Sequence, residues 1–307
     1  MLPFKLVYHD AFNVDLGPHV FPSRKYRLVH EALMAEGLAD SGDFLAPEPA
    51  RDEDVLLVHT AEYLRKAKTG DLSPAEARML EVPWSEGLAR ATWLSAGACI
   101  AAGPLARRDG CAVVIGGGLH HAFPDHGEGF CLINDVAIAV RAWRAGGVAE
   151  HIAVLDLDVH QGNGTAATLG AEAKSFTVSL HQEANYPMPK PPSHLDVGLR
   201  DGIDDLGYLA ALEEPLQRIL AFHPDLLLYL AGADPYEHDL LGGLGLTVAG
   251  LAERDRRVCA AAKGAGLPLV VTLAGGYAAR PEDTVRIHVN TIRTAAFVFA
   301  RTPRVPA

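Results

Sequence analysis

Apolar residues in this chain come in short, near-continuous runs separated by helix-length segments. The runs at 5–8, 112–115, 152–157, 176–180, 226–230 and 269–273 hold four to six residues each. Near-continuous rather than alternating hydrophobicity is what strands buried on both faces require. The segments 23–36, 85–102, 135–145, 206–222, 247–265 and 281–299 are predicted as helices. Ser23 and Thr247 suit N-caps, and Pro281 suits a first helical turn, where its missing N–H loses no partner. The β-α-β-α order predicts an α/β fold: one three-layer α/β/α domain over 1–307 with a mostly parallel central sheet. No internal repeat, low-complexity tract or Gly/Ser linker interrupts it.

Composition narrows the classes. Of 307 residues, 49% are hydrophobic and 21% charged, the balance of a globular protein with a substantial core. Lys and Arg number 27 against 38 Asp and Glu, so the net charge is 27 − 38 = −11. A nucleic-acid partner or an anionic membrane surface needs a basic face and is therefore not expected. No apolar run reaches the roughly 20 residues of a membrane span, and the first ten residues lack a signal-peptide core. Cys99, Cys111, Cys131 and Cys259 form no C-x-x-C pair, so they read as buried free thiols. A reducing cytoplasm is the expected location, and the oligomeric state is left open.

The candidate chemistry sits at the ends of the runs. Ile115 leads into Gly116-Gly117-Gly118-Leu119-His120-His121, and Leu155 into Asp156-Leu157-Asp158-Val159-His160. Leu230 leads into Ala231-Gly232-Ala233-Asp234, and Leu273 into Ala274-Gly275-Gly276-Tyr277. In open parallel sheets, ligands bind outside the carboxyl ends of the strands. Asp158 and His160 are two apart, which on an extended segment places both on one face. With Asp234 they make a two-carboxylate, one-imidazole set that leaves a metal position open for water. The plain alternative is a solvent-facing hydrogen-bonded pair. His120 and His121 suit an acid/base pair beside that set. Asp156 can fix the tautomer of one imidazole and Asn163 that of the other. Tyr277 is either a core phenol or a donor to an oxyanion.

These segments resemble the histone deacetylase family. The matches are Gly-Gly-Gly-Leu-His-His at 116–121, Gly-Phe-Cys-Leu-Ile-Asn-Asp at 129–135 and Asp-Leu-Asp-Val-His-Gln-Gly-Asn-Gly at 156–164. Ser-Leu-His at 179–181, Ala-Gly-Ala-Asp at 231–234 and Ala-Gly-Gly-Tyr at 274–277 follow in the family's order. The stretch 193–199, with Phe21-Pro22 ahead of Lys25-Tyr26, looks most like the class IV, histone deacetylase 11-like branch and its bacterial members. The resemblance implies an arginase-like α/β fold. It implies Zn²⁺ on Asp158, His160 and Asp234, with Fe²⁺ also suited to that donor set. His121 would be the general base and then the acid, with His120 its electrostatic partner. Asp156 would pair with His120, Asn163 with His121, and Tyr277 would hold the oxyanion. Gly129, Phe130, Tyr186 and Leu241 would line an acyl-lysine channel. A structural K⁺ would take Asp156, Ser179 and the carbonyls of Asp158, His160 and Leu180. The family's acidic rim residue has no position assigned in this chain.

The implied reaction is hydrolysis of an N-acyl amide, acetyl or longer, on a lysine of a protein or peptide. The nearest alternative is a small-molecule deacylase acting on acylated polyamines. A dimanganese ureohydrolase wants a carboxylate two past His160, where Gly162 stands. A non-catalytic acyl-lysine-binding module would be expected to lack Tyr277 or one of the two His.

Overall fold

A computed structural model describes residues 1–300 of the protein; positions 301–307 of the expected domain lie outside the described residues. The apolar runs become strands of one sheet. They are β1 (Lys5–Val7), β2 (Phe44–Leu45), β3 (Cys111–Val114), β4 (Ile152–Asp156), β5 (Ser175–Gln182), β6 (Leu195–Leu199), β7 (Leu226–Leu230) and β8 (Leu269–Thr272). Their order is β2-β1-β3-β8-β7-β4-β5-β6, and every neighbouring pair is parallel. Strands β3, β4, β7 and β8 are buried along their whole length, which is why their sequences do not alternate.

The helices are α1 (Lys25–Ala35), α2 (Asp52–Val55), α3 (Ala61–Thr69), α4 (Pro74–Leu80), α5 (Glu86–Asp109) and α6 (Asp135–Ala145), then α7 (Asn163–Leu169), α8 (Asp205–Ala211), α9 (Glu213–Phe222), α10 (Val248–Gly264) and α11 (Pro281–Phe299). Two groups cover the sheet: α5 with α6, and α11 with α10 and α1. The result is a three-layer α/β/α arrangement. No helix among the described residues is long and apolar enough to cross a membrane. All four cysteines are buried and free.

Three expectations are corrected. The helix expected over 206–222 is two, α8 and α9, meeting at Leu212. Pro215 explains the break: it has no N–H for the carbonyl four residues back, so it fits only the first turn of a new helix. Ser23 does not cap α1, whose N-cap is Arg24 with no side-chain bond; the Ser23 hydroxyl donates to the Val14 carbonyl instead. The helix expected over 85–102 runs on to Asp109 through Pro104. Pro104 leaves the Ile100 carbonyl without its helix donor, and the Trp143 indole N–H supplies one at 2.8 Å. Gly103 gives the indole its room, since a Cβ there would stand 2.3 Å from Trp143 Nε1. Thr247 and Pro281 act as expected at the starts of α10 and α11.

The register aligns the strand ends. Val114, Thr272, Leu230, Asp156 and Ser179 are successive pairing partners across β3, β8, β7, β4 and β5. The chain leaves this row on four adjacent strands within a few residues of His120, Tyr277, Asp234 and Asp158. A flush sheet edge is therefore what gathers residues distant in sequence.

Candidate metal and catalytic site

Asp158 and His160 are reached by a turn, not by the extended segment their spacing suggested. Strand β4 ends at Asp156. Asp156 Oδ1 then accepts the Asp158 N–H at 3.1 Å, and Asp158 Oδ1 accepts the His160 N–H at 3.0 Å. Side-chain oxygens that capture backbone donors two residues on bend the chain in this way. The turn still delivers both side chains to one point. His160 Nδ1 lies 3.1 Å from Asp158 Oδ1 and 3.6 Å from Asp234 Oδ2. One donor atom from each of Asp158, His160 and Asp234 falls within 4.8 Å of the others, and all three residues are buried.

The donor set fits a divalent cation. Asp234 Oδ2 is buried with no hydrogen-bond partner, an arrangement that is costly unless a positive group completes it. Burial raises the Asp234 pKa to about 7, and the charge on Asp158 adds to the effect. Gly275 keeps the space open: a Cβ there would come 1.9 Å from Asp234 Oδ2 and 2.5 Å from Asp158 Oδ2. Its N–H instead donates to Asp158 Oδ2 at 2.8 Å.

The two imidazoles beside this group have unlike partners. His120 Nδ1 is 2.7 Å from Asp156 Oδ2, whereas His121 Nδ1 is 2.7 Å from the amide oxygen of Asn163. Their rings are 4.0 Å apart, and both residues are buried. Burial disfavours the charge on His120, but Asp156 and Asp158 outweigh it and hold the pKa up at about 9. Burial pushes the His121 pKa well below the ordinary value, and repulsion from His120 and His160 adds to this. The two imidazoles are thus pushed in opposite directions, the pattern of a pair with different roles. Asn134 supports the segment carrying them: its side-chain NH₂ donates to the His120 and Ala122 carbonyls, at 3.3 and 3.0 Å.

A cavity of about 200 Å³ leads to the group, lined by His121, Gly129, Phe130, His160, Tyr186, Leu241 and Tyr277 with Glu81 and Asn185. All four expected channel residues are on its wall. Gly129 has φ +52°, and a Cβ there would stand 2.8 Å from the His121 ring. Phe130, at φ 70°, is an L-residue held in the left-handed region. Below lies a pocket of about 20 Å³ reaching Asp158, His120 and Tyr26. Lys25, fully buried, donates from Nζ to the Ala274 carbonyl at 2.9 Å and stands 5.3 Å from the Tyr277 ring centre. Ser179 and Leu180 lie outside the cavity on β5, where Ser179 is the register partner of Asp156.

Four contributors escaped sequence reasoning. Asp239 pins two cavity walls, accepting the Tyr277 N–H at 2.7 Å and the Leu241 and Gly242 N–H groups at 2.9 and 3.0 Å. Phe21 packs its ring 6.1 Å from Phe130 and 6.2 Å from Tyr277. Glu81, in the left-handed region at the end of α4, puts an acidic residue on the cavity wall. Glu128, one residue before the Gly-Phe-Cys motif, accepts from Asn163 Nδ2 at 2.7 Å and from the Tyr186 hydroxyl. Glu128 carried a signal in its adjacency to that motif, and Phe21 in the Phe21-Pro22 pair ahead of Lys25-Tyr26, though neither was assigned to the site.

The fold is shared with a solved structure, the HDA15 HD domain. The TM-score is 0.79 over 95% of this chain and 88% of that one, at 23% identity. Residues 19–292 match the histone deacetylase domain, so the chain belongs to the histone deacetylase family and is of the hydrolase type its deacetylases represent. It is 30% identical over 289 residues to histone deacetylase 2 of Arabidopsis thaliana, covering 89% of this chain and 74% of that one. A probable deacetylase of Archaeoglobus fulgidus is 31% identical over 296 residues, covering 89% of this chain and 80% of its own. An uncharacterized protein of Picosynechococcus is 39% identical over 298 residues, covering 96% of this chain and 99% of its own.

Proposed function

We propose that the protein is a zinc-dependent amidohydrolase that removes an acyl group from lysine side chains. The observation that carries this is the meeting of the Asp158-His160-Asp234 group with two unlike imidazoles and Tyr277 at the inner end of one narrow cavity. Zn²⁺ bound there supplies Lewis acidity toward the amide carbonyl and a more acidic water; Fe²⁺ suits the same donors. Every other task falls to the chain. Gly129, Phe130, Tyr186 and Leu241 guide the four-carbon lysine stem and exclude bulk water. Neutral His121 takes the proton of the attacking water at Nε2 and returns it to the departing amine. Charged His120, held by Asp156, stabilises the negative charge that builds beside it. The Tyr277 hydroxyl donates to the oxyanion. A K⁺ held by Asp156, Ser179 and the carbonyls of Asp158, His160 and Leu180 would brace the β4–β5 edge.

The pocket below the metal group, about 20 Å³, is near the space of a single water. That space suits an acetyl group, whereas a longer acyl chain would have to enter the adjoining apolar cavity of about 50 Å³, which shares Phe21, Tyr26, Gly117, Leu119 and Phe130 with it. Acetylated polyamines remain the second reading, favoured by Glu81 on the cavity wall, where a carboxylate suits a cationic chain. The four free thiols are suited to a reducing cytoplasm, and the segment 193–199 favours the class IV branch. A panel of acetyl-, octanoyl- and myristoyl-lysine peptides beside acetylpolyamines, given to zinc-loaded protein, tests the proposal. Fastest turnover of acetyl-lysine is expected, with Tyr277→Phe lowering kcat about 10²–10³-fold. No turnover of any of them overturns the enzyme reading.

A further inference from the structure

The partner of His121 is an amide, and an amide can present either end. Asn163 Oδ1 faces His121 Nδ1 at 2.7 Å, while its Nδ2 faces Glu128 Oε1 at the same distance. A flipped amide would set its carbonyl oxygen against the carboxylate and its NH₂ against the imidazole. The first of those contacts places acceptor against acceptor, and Glu128 therefore decides the orientation. With Oδ1 toward the ring, Nδ1 must carry the proton and Nε2 keeps its lone pair. An aspartate at 163 would need no such help, since both of its oxygens accept.

Glu128 is itself held in place. Its Oε1 also accepts from the Tyr186 hydroxyl, and His126 Nε2 lies 3.4 Å from Oε2. Burial opposes its charge, but the bonds from His126, Tyr186 and Asn163 outweigh that and keep its pKa below the ordinary value. Asn163 is 2% exposed, so no bulk water replaces the carboxylate as its acceptor.

We propose that Glu128 is a positioning residue which, through Asn163, fixes the Nδ1-protonated tautomer of His121 and so leaves Nε2 free to act as the base. The idea rests on the amidohydrolase reading for its consequence but not for its geometry. It places the carboxylate one residue farther from the imidazole than a directly bound aspartate, with the amide as relay. It also ties Tyr186, a wall of the channel, to the same oxygen that orients the relay.

The test is a double-mutant cycle with a spectroscopic readout on zinc-loaded protein. Glu128→Gln keeps the shape but replaces a charged acceptor by a neutral one, and kcat/KM should fall about tenfold. Asn163→Asp alone sets two carboxylates against each other and should also lose activity. In that background Glu128→Gln relieves the repulsion and should raise kcat/KM, reversing the sign of its effect. Equal losses in both backgrounds, or no loss with Asn163 present, would mean Glu128 only supports the loop, and overturn the proposal. Side-chain ¹⁵N shifts of His121, assigned against His121→Gln, should show a protonated Nδ1 and a bare Nε2. A protonated Nε2 in the parent protein overturns the proposal too. That measurement needs no turnover, so failure of the enzyme reading is distinguishable from failure of this one.

Discussion

Gly275→Ala should abolish tight metal binding while leaving the fold in place. Gly275 lies outside the positive-φ region, unlike its neighbour Gly276 at φ 143°, so alanine meets no backbone strain there. The conflict is local: the new Cβ would stand 1.9 Å from Asp234 Oδ2 and 2.5 Å from Asp158 Oδ2. Both carboxylates would have to move by about 1 Å or more, since carbon and oxygen in van der Waals contact stand roughly 3.5 Å apart. Displacing the partners of metal ligands typically weakens binding about 10–100-fold, and here two ligands are struck at once, so about 100-fold is expected. At a zinc concentration of about 100 Kd, binding stabilises the parent by roughly 2.7 kcal/mol. A variant with a Kd about 100-fold higher gains only about 0.4 kcal/mol at that concentration, from the same relation. The gap of about 2.3 kcal/mol should appear as a Tm difference of about 3–4 °C in zinc. It should shrink sharply in chelator, where neither protein is metal-bound. Competition against a chromogenic chelator gives Kd directly. Parent-like zinc affinity in a folded Gly275→Ala protein would falsify the placement of the metal between Asp158 and Asp234.

Two further outcomes are expected. Burial pushes the pKa of His59 down from 6.5 to about 4, and its Nε2 accepts the Asn134 N–H at 3.0 Å. The unfolded chain therefore binds that proton more readily. The stability from neutral His59 is complete above pH 6.5 and is lost as pH falls toward 4, at about 1.4 kcal/mol per pH unit and roughly 3 kcal/mol in all. Denaturant titrations of His59→Gln should show that window shallower by about one proton, and an unchanged slope refutes the assignment. Glu81→Gln should raise KM about threefold for acetylpolyamines or lysine-rich acetyl peptides at low salt, with kcat little changed. The difference should vanish near 0.5 M salt, because charges at a solvated mouth are screened over a few ångströms there; a salt-independent KM change contradicts an electrostatic role.

The central strands were legible because burial on both faces writes a near-continuous apolar run, as in Leu226–Leu230. The edges were not. β2 has two residues and β6 is half-exposed, so neither carries that signature. The segment 40–84 gave no elements, yet it holds α2, α3 and α4, each of nine residues or fewer. Residues placed at strand ends were found because the flush register makes a strand end equivalent to a site. Glu81, Asp239 and Phe21 act from loops and a helix terminus, whose positions depend on packing between distant segments. Glu128 was hidden for another reason. Its importance lies in the orientation of an amide, a property that exists only once Asn163 and Tyr186 have been brought to it.

The same geometry accounts for how the fold tolerates so many acids in one place. Asp156, Asp158 and Asp234 are all buried, and Asp239 stands beside them. His120, bonded to Asp156 at 2.7 Å, compensates part of that charge, and two cations, Lys25 and the Asp255-paired Arg254, stand behind the strand ends. Arg254, with no exposed surface, donates to the Gly232 carbonyl at 2.7 Å and pairs with Asp255 at 2.9 Å. Lys25 donates to the Ala274 carbonyl. Gly232 and Ala274 lie just before Asp234 and Gly275 in the chain, so each cation grips the backbone of a site loop, not a carboxylate ligand. Neither takes the oxygens a metal would need, and Asp234 Oδ2 keeps no hydrogen-bond partner. Had either cation paired with Asp158 or Asp234 directly, that pair would have been more stable in itself and useless as a ligand set. Charge held at one remove lowers the penalty of burying the acids while leaving their oxygens available.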